Sequence, residues 1–300
     1  MEAPLLKKND TIGIFAPSSW VEREDIEQSA RYVEEQGYKT LVHPQTYVRH
    51  HQSAGTHDQK LAAFYDLWDN PDVTCIWAAG GGNRAMHWMD MIDYGRLKKT
   101  PKFLIGFSDV TALINTIYAH TGIKAIHGTT FNRLYKCPQK QQHLDMITGA
   151  RIIYPDTDMR VLQTGKACGA LIGGNLSLMQ YLATTLPRNF YKNKILFLED
   201  CNEELSRIDR MLLHMKRSGI FDNVSALLFG DFGNFPETGK PFGFSFEEII
   251  KEHTDGIDIP VIMQAPFGHE DTLFPLPIGF TANLNATKNH VEFMVPPLAS

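Results

Sequence analysis

A chain of 300 residues with 43% hydrophobic content is long enough for one large or two ordinary globular domains, and its formal charge of −5 leaves no basic surplus for a nucleic-acid backbone. Its four cysteines, Cys75, Cys137, Cys168 and Cys201, stand far apart, which excludes a C-x-x-C metal or redox pair and fits reduced thiols. No stretch approaches the roughly eighteen apolar residues of a membrane span and the N-terminus lacks the apolar core of a signal peptide, so a soluble cytoplasmic protein is expected.

The apolar run Thr11 to Ala16 reads as a first buried strand, followed by a helix over Glu24 to Gln36 that Gly37 stops. Tyr38 to His43 gives a second strand, Tyr47 to His57 an exposed loop, and Asp58 to Trp68 an amphipathic helix carrying Leu61, Ala62, Phe64, Tyr65 and Trp68. Asp72 to Trp77 gives a third strand, closed by Ala79-Gly80-Gly81-Gly82. Phe103 to Ile105 is a fourth, after which Gly106-Phe107-Ser108-Asp109 breaks the run and Val110, Leu113, Ile114, Ile117 and Tyr118 recur at helical spacing. Strands alternating with helices in this rhythm predict an α/β fold with a parallel sheet, whose ligands gather at the carboxyl ends of the strands.

The segment from Phe131 to Thr164 lacks sustained periodicity, so residues 1–136 are read as an N-terminal α/β domain and residues 137–164 as a linker. Residues 165–300 then form a smaller, β-rich C-terminal domain. In it Ala167 to Ile172 is a strand with a turn at Gly173-Gly174-Asn175, and a helix starts at Leu176. Lys194 to Leu198 is a buried strand, Glu203 to Gly219 a helix with Ile208, Met211, Leu212 and Met215 on one face, and Val224 to Phe229 another strand. Short strands and Gly/Pro turns dominate Val261 to Val295.

Four features fall at predicted strand ends. Ser108 sits at a strand-to-helix bend, where its hydroxyl is lifted out of the sheet and the Asp109 amide lies at a helix N-terminus; it is a nucleophile or a plain N-cap. The bare amides of Gly80 to Gly82 could donate to an oxyanion, cradle a phosphate or simply turn the chain, and they match neither G-x-G-x-x-G nor the P-loop. Glu199-Asp200 follows a buried run, so one of the two acids needs a partner: an arginine such as Arg207 or Arg210, or a histidine that it orients. Gly268-His269 presents an imidazole on a loop, as a general base or a solvated side chain. The other histidines show no ligand spacing, so no metal is expected.

The chain resembles the LD-carboxypeptidase family of serine peptidases, which includes the muropeptide LD-carboxypeptidases and the microcin C immunity peptidases. The similarity runs over nearly the whole length and rests on Gly13-Ile14-Phe15-Ala16-Pro17-Ser18-Ser19, Ile76-Trp77 before Gly81-Gly82, Asp93-Tyr94, Pro101-Lys102, Gly106-Phe107-Ser108-Asp109, His127-Gly128, Gly173-Gly174-Asn175-Leu176, Leu198-Glu199-Asp200, Ile208-Asp209-Arg210 and Gly268-His269. The resemblance implies Ser108 as nucleophile, Glu199 as acid and His269 as base. It also implies an N-terminal α/β domain and a β-rich C-terminal domain with the site between them, in a homodimer.

On that reading the amides of Asp109 and of Gly81 or Gly82 hold the oxyanion, and Arg84, beside Asn83, is the nearest cation for a peptide's free carboxylate. No cofactor is called for. A murein tetrapeptide is the first expected substrate and an aminoacyl or peptidyl-nucleotide the second; a non-catalytic nucleotide- or phosphate-binding module is the alternative of another class. The chain departs from the family where R-G-G-Y-G becomes Gly80-Gly81-Gly82-Asn83-Arg84. His87 replaces an arginine, Thr129 the proline of H-G-P, and Ser206 a tyrosine. These changes bear on the substrate more than on the reaction.

Overall fold

The computed structural model describes residues 3–237, 239–269 and 272–298 and divides into two compact units. The first runs to Ile152 and takes back Pro275–Gly279; the second holds Ile153–Phe274 and Phe280–Pro296.

The first unit contains β1 (Thr11–Phe15), α1 (Arg23–Glu35), β2 (Lys39–Val42), α2 (His57–Trp68), β3 (Val73–Ala78), α3 (Met86–Met89), α4 (Tyr94–Leu97), β4 (Phe103–Gly106), α5 (Thr111–Thr121), β5 (Ala125–His127), α6 (Phe131–Leu134) and α7 (Lys140–Ile147). The second contains β6 (Arg160–Gln163), β7 (Gly165–Asn175), α8 (Leu176–Thr185), β8 (Ile195–Glu199), α9 (Leu205–Arg217), β9 (Ala226–Phe229), α10 (Phe246–Thr254) and β10 (Val261–Met263). After these, β11 (Leu276–Ile278) belongs to the first unit, and β12 (Thr281–Thr287) and β13 (His290–Met294) to the second.

The first sheet has the order β11-β5-β4-β3-β1-β2, parallel throughout except for β11, which pairs antiparallel with β5. Its central strands β3 and β4 are almost wholly buried, as near-continuous apolar runs in a helix-covered parallel sheet must be. The second sheet has the order β13-β12-β7-β8-β9-β10-β6. Its middle strands β7 to β10 run parallel, and β12, β13 and β6 add antiparallel flanks. The α/β class with a sheet-rich second domain is therefore the observed one. Helix α9 buries Ile208, Met211, Leu212 and Met215, the stripe its spacing predicts.

Three expectations need correction. Residues 137–164 are not a featureless connection: they hold α7, whose His143, Leu144, Met146 and Ile147 are buried, and the strand β6, which gains its order by pairing with β10 far along the chain. Gly173 and Gly174 do not form a turn. They continue β7 in register with Phe197 and Leu198, at φ values of 135° and 133° that exclude side-chained residues, because a Cβ at Gly173 would collide with the Phe197 carbonyl. The loop from Tyr47 to His57 is exposed only in part, since Ser53 and Ala54 fold back onto the end of β1, where the Ala54 amide donates to the Ser18 carbonyl at 3.1 Å.

Candidate active site

The nucleophile candidate lies where β4 ends. Ser108 is the first residue of a single 3-10 turn, Ser108–Val110, that leads into α5, and it has φ of +59°. A non-glycine residue in the left-handed region is strained, and such strain persists only where the surroundings impose it. Here they do: β4 and Val110 are buried on either side of the bend, so the chain must reverse within two residues, leaving the partly exposed serine at its apex. Ser108 is therefore not the N-cap of α5: that position is Val110, which makes no side-chain cap.

The neighbouring Asp109 is buried, and its Oδ2 accepts the Ala85 amide at 2.8 Å, with the Ser18 side chain also beside it. Burial pushes its carboxyl pKa up, while these donors and the charges of Lys60 and His87 hold it down. Asp109 thus ties the elbow to the end of the glycine-rich loop.

That loop passes close to the serine. A Cβ on Gly81 would stand 3.1 Å from Ser108 Cβ and 3.3 Å from Oγ, tighter than an ordinary side-chain contact, so the bare glycine brings the backbone close to the hydroxyl. Gly82, at φ +110°, packs against Ser19, whose amide donates to the Gly81 carbonyl at 3.2 Å and whose Oγ accepts the Asn83 amide at 3.3 Å. The Asn83 side chain donates to Gln52 Oε1 at 3.4 Å. Arg84, at φ +82°, places Nη2 3.2 Å from His57 Nε2, and both line a pocket of about 410 Å³ together with His50 and His51.

In the second unit Glu199 and His269 are brought together. Glu199 ends β8 with no exposed surface, and its Oε2 accepts a hydrogen bond from His269 Nδ1. The histidine is delivered by the segment after β10: the Ala265 amide donates to the Phe229 carbonyl at 3.0 Å, and the Asp231 amide to the Phe267 carbonyl at 2.7 Å. Phe267 meets Phe197 edge-on, with ring centroids 5.3 Å apart. The two residues titrate as a pair. Burial raises the Glu199 carboxyl and His269 opposes the rise; burial works against the imidazolium, but the Glu199 carboxylate and the nearby Cys201 outweigh it and raise His269 above its ordinary 6.5.

Asp200 is the structural half of the acidic pair. It accepts from Asn175 Nδ2 at 2.9 Å, from the Ser177 amide at 2.9 Å and hydroxyl at 2.8 Å, and from the Cys201 amide at 2.9 Å. These bonds satisfy the first turn of α8 and fix the strand end that carries Glu199. Arg207 pairs instead with Glu203 at 3.0 Å. Among the described residues no group of three or more His, Cys, Asp or Glu side chains is placed to hold a metal ion.

One residue of this region escaped the sequence reading. Lys60, on α2, is fully buried and interacts with the charges of Asp109 and Arg84; a lysine within the apolar spacing of Ala63, Phe64, Leu67 and Trp68 was the available signal.

A carboxylate that fixes an imidazole through Nδ1 leaves Nε2 to accept a proton, and a strained serine beside glycine amides presents a hydroxyl with donors near it. These are the parts of acyl-transfer chemistry.

Comparison with known proteins matches residues 12–128 to the LD-carboxypeptidase N-terminal domain and residues 168–284 to the LD-carboxypeptidase C-terminal domain. The murein tetrapeptide carboxypeptidase of Pseudomonas aeruginosa is 30% identical over 290 residues, covering 92% of this chain and 94% of the relative. The Microcin C7 self-immunity protein MccF of Escherichia coli is 26% identical over 321 residues, covering 93% and 91%. The crystal structure of an MccF-like protein from Bacillus anthracis superposes with a TM-score of 0.88 at 24% identity, covering 99% of this chain and all of the other, and so shares its fold.

Proposed function

The chain belongs to the LD-carboxypeptidase family of serine peptidases, and from that premise we propose that Ser108, His269 and Glu199 act as a triad that removes the terminal residue of a murein tetrapeptide. The observation that carries this reading is the buried Glu199, whose carboxylate is bonded to His269 Nδ1 and so leaves Nε2 as the basic nitrogen. His269 takes the Ser108 proton as Oγ attacks the carbonyl carbon of the scissile amide. The oxyanion that forms accepts from the Asp109 amide and from Gly81 or Gly82. When the C–N bond breaks, His269 returns the proton to the departing amine, leaving an acyl-serine that water attacks by the same route. Nucleophile, base and carboxylate are all side chains, so the scheme calls on no metal or organic cofactor.

The leaving group of a carboxypeptidase carries a free carboxylate, and Arg84, bonded to His57, is the cation we assign to it, with Asn83 beside it. The resemblance to the microcin self-immunity protein favours a second reading with the same triad, in which the scissile amide belongs to an aminoacyl or peptidyl-nucleotide. Mass spectrometry separates the two. Incubation with a murein tetrapeptide should release its terminal D-residue in the wild type and not in Ser108→Ala, and cleavage confined to peptidyl-nucleotides establishes the second reading. A wild type that cleaves neither, and whose Ser108 resists a serine-directed phosphonate, refutes both.

A further inference from the structure

The pocket of about 410 Å³ beside the glycine-rich loop has His50, His51, Gln52, His57 and Arg84 among its lining residues and no acid. Its arginine is placed differently from others on the surface. Arg49, Arg160 and Arg207 each hold a carboxylate, at 2.9 Å from Glu22, 2.7 Å from Glu247 and 3.0 Å from Glu203, whereas Arg84 directs Nη2 to His57 Nε2 at 3.2 Å. A guanidinium has only donors, so Nε2 is the acceptor and His57 is a neutral imidazole with its proton on Nδ1. Further imidazoles crowd the same place: the His57 and His87 rings lie 5.7 Å apart, and those of His50 and His51 4.9 Å apart.

Arg84 is fixed from both sides. The Asn83 amide donates to Ser19 Oγ at 3.3 Å and its side chain to Gln52 Oε1 at 3.4 Å, while the Ala85 amide donates to Asp109 Oδ2 at 2.8 Å. The same loop brings Gly81 against Ser108, and three extended residues span at most about 11 Å, so the Arg84 backbone stands no farther than that from Gly81. A cation is therefore held near the nucleophile, its position set before any ligand arrives, in a pocket whose walls supply donors and no counter-charge. Such an arrangement is made good when an anion enters it.

The titratable groups around His57 come from several elements. Helix α2 contributes Asp58 and Lys60, the glycine-rich loop Arg84, and α3 His87. Of the other elements packed on α2, β1 carries no titratable side chain, β3 only the Cys75 thiol, and the turn Pro44–Tyr47 only the Tyr47 phenol. Burial, then Arg84, Lys60 and His87, hold the His57 pKa below its ordinary 6.5, with Asp58 acting in the opposite sense.

We propose that this pocket is the subsite for the anionic end of the leaving group, a carboxylate or a phosphate, and that the anion enters together with a proton: it accepts from Arg84, which releases His57 Nε2, and His57 then takes a proton from solvent and becomes a second charged donor. This rests on the cleavage reading above, which already gives Arg84 the terminal carboxylate. In the free protein His57 loses its proton below pH 6.5; with an anion beside it and Arg84 drawn away, it keeps the proton to a higher pH. Between those limits the complex binds one proton more than its separate parts, so affinity rises as pH falls, by up to about tenfold per unit.

The test uses the full-length chain carrying Ser108→Ala, so that ligands are bound and not consumed, with and without His57→Gln. Three probes share one peptide: the first ends in a free D-alanine carboxylate, the second in the corresponding amide, and the third in an aminoethyl phosphate. Titration calorimetry from pH 6 to 8 should show the two anionic probes binding about 5- to 10-fold tighter at pH 6 than at pH 8, against less than about threefold in His57→Gln. The ionisation of the phosphate itself near pH 6 is common to both proteins and cancels in that comparison. The amide should bind about 10- to 100-fold more weakly than the carboxylate at pH 6, as expected for the loss of a charge-assisted bond. Whichever anionic probe gains more from His57 names the source, peptide or phosphate ester. Should His57→Gln fold poorly, calorimetry of the Ser108→Ala protein at pH 7 in two buffers of different ionisation enthalpy decides: proton uptake supports the linkage, and none overturns it. Equal pH dependence with and without His57, or an amide bound as tightly as the acid, also overturns the proposal. A wild type whose Ser108 resists a phosphonate removes the cleavage reading instead, and His57-dependent anion binding is then a property of the pocket alone.

Discussion

Replacing Glu199 by glutamine keeps the size of the side chain at the end of β8 and removes its charge, which makes it the cleanest probe of the proposed base. In the native protein Glu199 is fully buried and accepts from His269 Nδ1, so the neutral imidazole carries its proton on Nδ1 and its lone pair on Nε2. A glutamine can turn its NH₂ toward Nδ1. The proton then moves to Nε2, and the proposed base meets the serine with the wrong nitrogen protonated. Inversion of this kind in a serine triad costs about 10,000-fold in kcat, equivalent to about 5 kcal/mol of barrier. A second consequence concerns pH. Burial alone lowers the His269 pKa, and the Glu199 carboxylate is the leading influence that raises it. The acid limb of kcat/KM should therefore lie above pH 6.5 in the wild type and fall below it in Glu199→Gln. Both are read from pH-rate profiles on the cleaved peptide, with phosphonate labelling of Ser108 as the parallel assay. A Glu199→Gln variant within tenfold of the wild type, its acid limb unmoved, would refute the assignment of Glu199 as the residue that orients the base.

Two further outcomes follow from the first unit. Ser108→Gly relieves a left-handed backbone that Ser108→Ala retains, so both should be inactive while the glycine variant unfolds at a higher urea midpoint, the gap amounting to about 1 kcal/mol; equal midpoints would mean that the elbow stores no strain. His143 is buried and neutral: Nε2 accepts the Thr129 amide at 2.8 Å, Nδ1 donates to the Gln139 carbonyl at 2.8 Å, and burial pushes its pKa from 6.5 to about 4. Between those values the unfolded chain binds the proton and the native one does not, so His143 costs nothing above pH 6.5 and removes up to about 3 kcal/mol as pH falls to 4. Urea unfolding at pH 7 and pH 4.5 should show this loss and a smaller one in His143→Gln; the same slope in both proteins would rule His143 out as its source.

What could be read from the chain, and what could not, divides along the range of the interactions involved. The elbow was legible because its signal is local: an apolar run too short for a helix, a break at Gly106, and a switch to helical spacing from Val110 all lie within one short stretch. The strand ends that carry Ser108, Gly81 and Glu199 were legible for the same reason. Helix α10 was missed although its signal is equally local, since Ser245 and Glu248 form a capping box ahead of Ile249 and Ile250. By contrast β5, β6 and β11 owe their existence to ladders with distant partners, and three or four residues carry no period of their own. Gly173 and Gly174 misled because two adjacent glycines ordinarily mark a turn; here both continue β7 at positive φ, and at Gly173 the strand approaches β8 too closely for any side chain. The same distinction runs through the site. That one of Glu199 and Asp200 must be paired followed from burial, but which one, and with what, depended on a histidine on a segment placed by β9 and β10. Lys60 shows both halves at once: its misfit on an apolar face is visible in the spacing, while the charges that act on it, those of Asp109 and Arg84, come from other elements. A charge buried out of pattern is therefore legible in the spacing, whereas the charges that surround it are set by the fold.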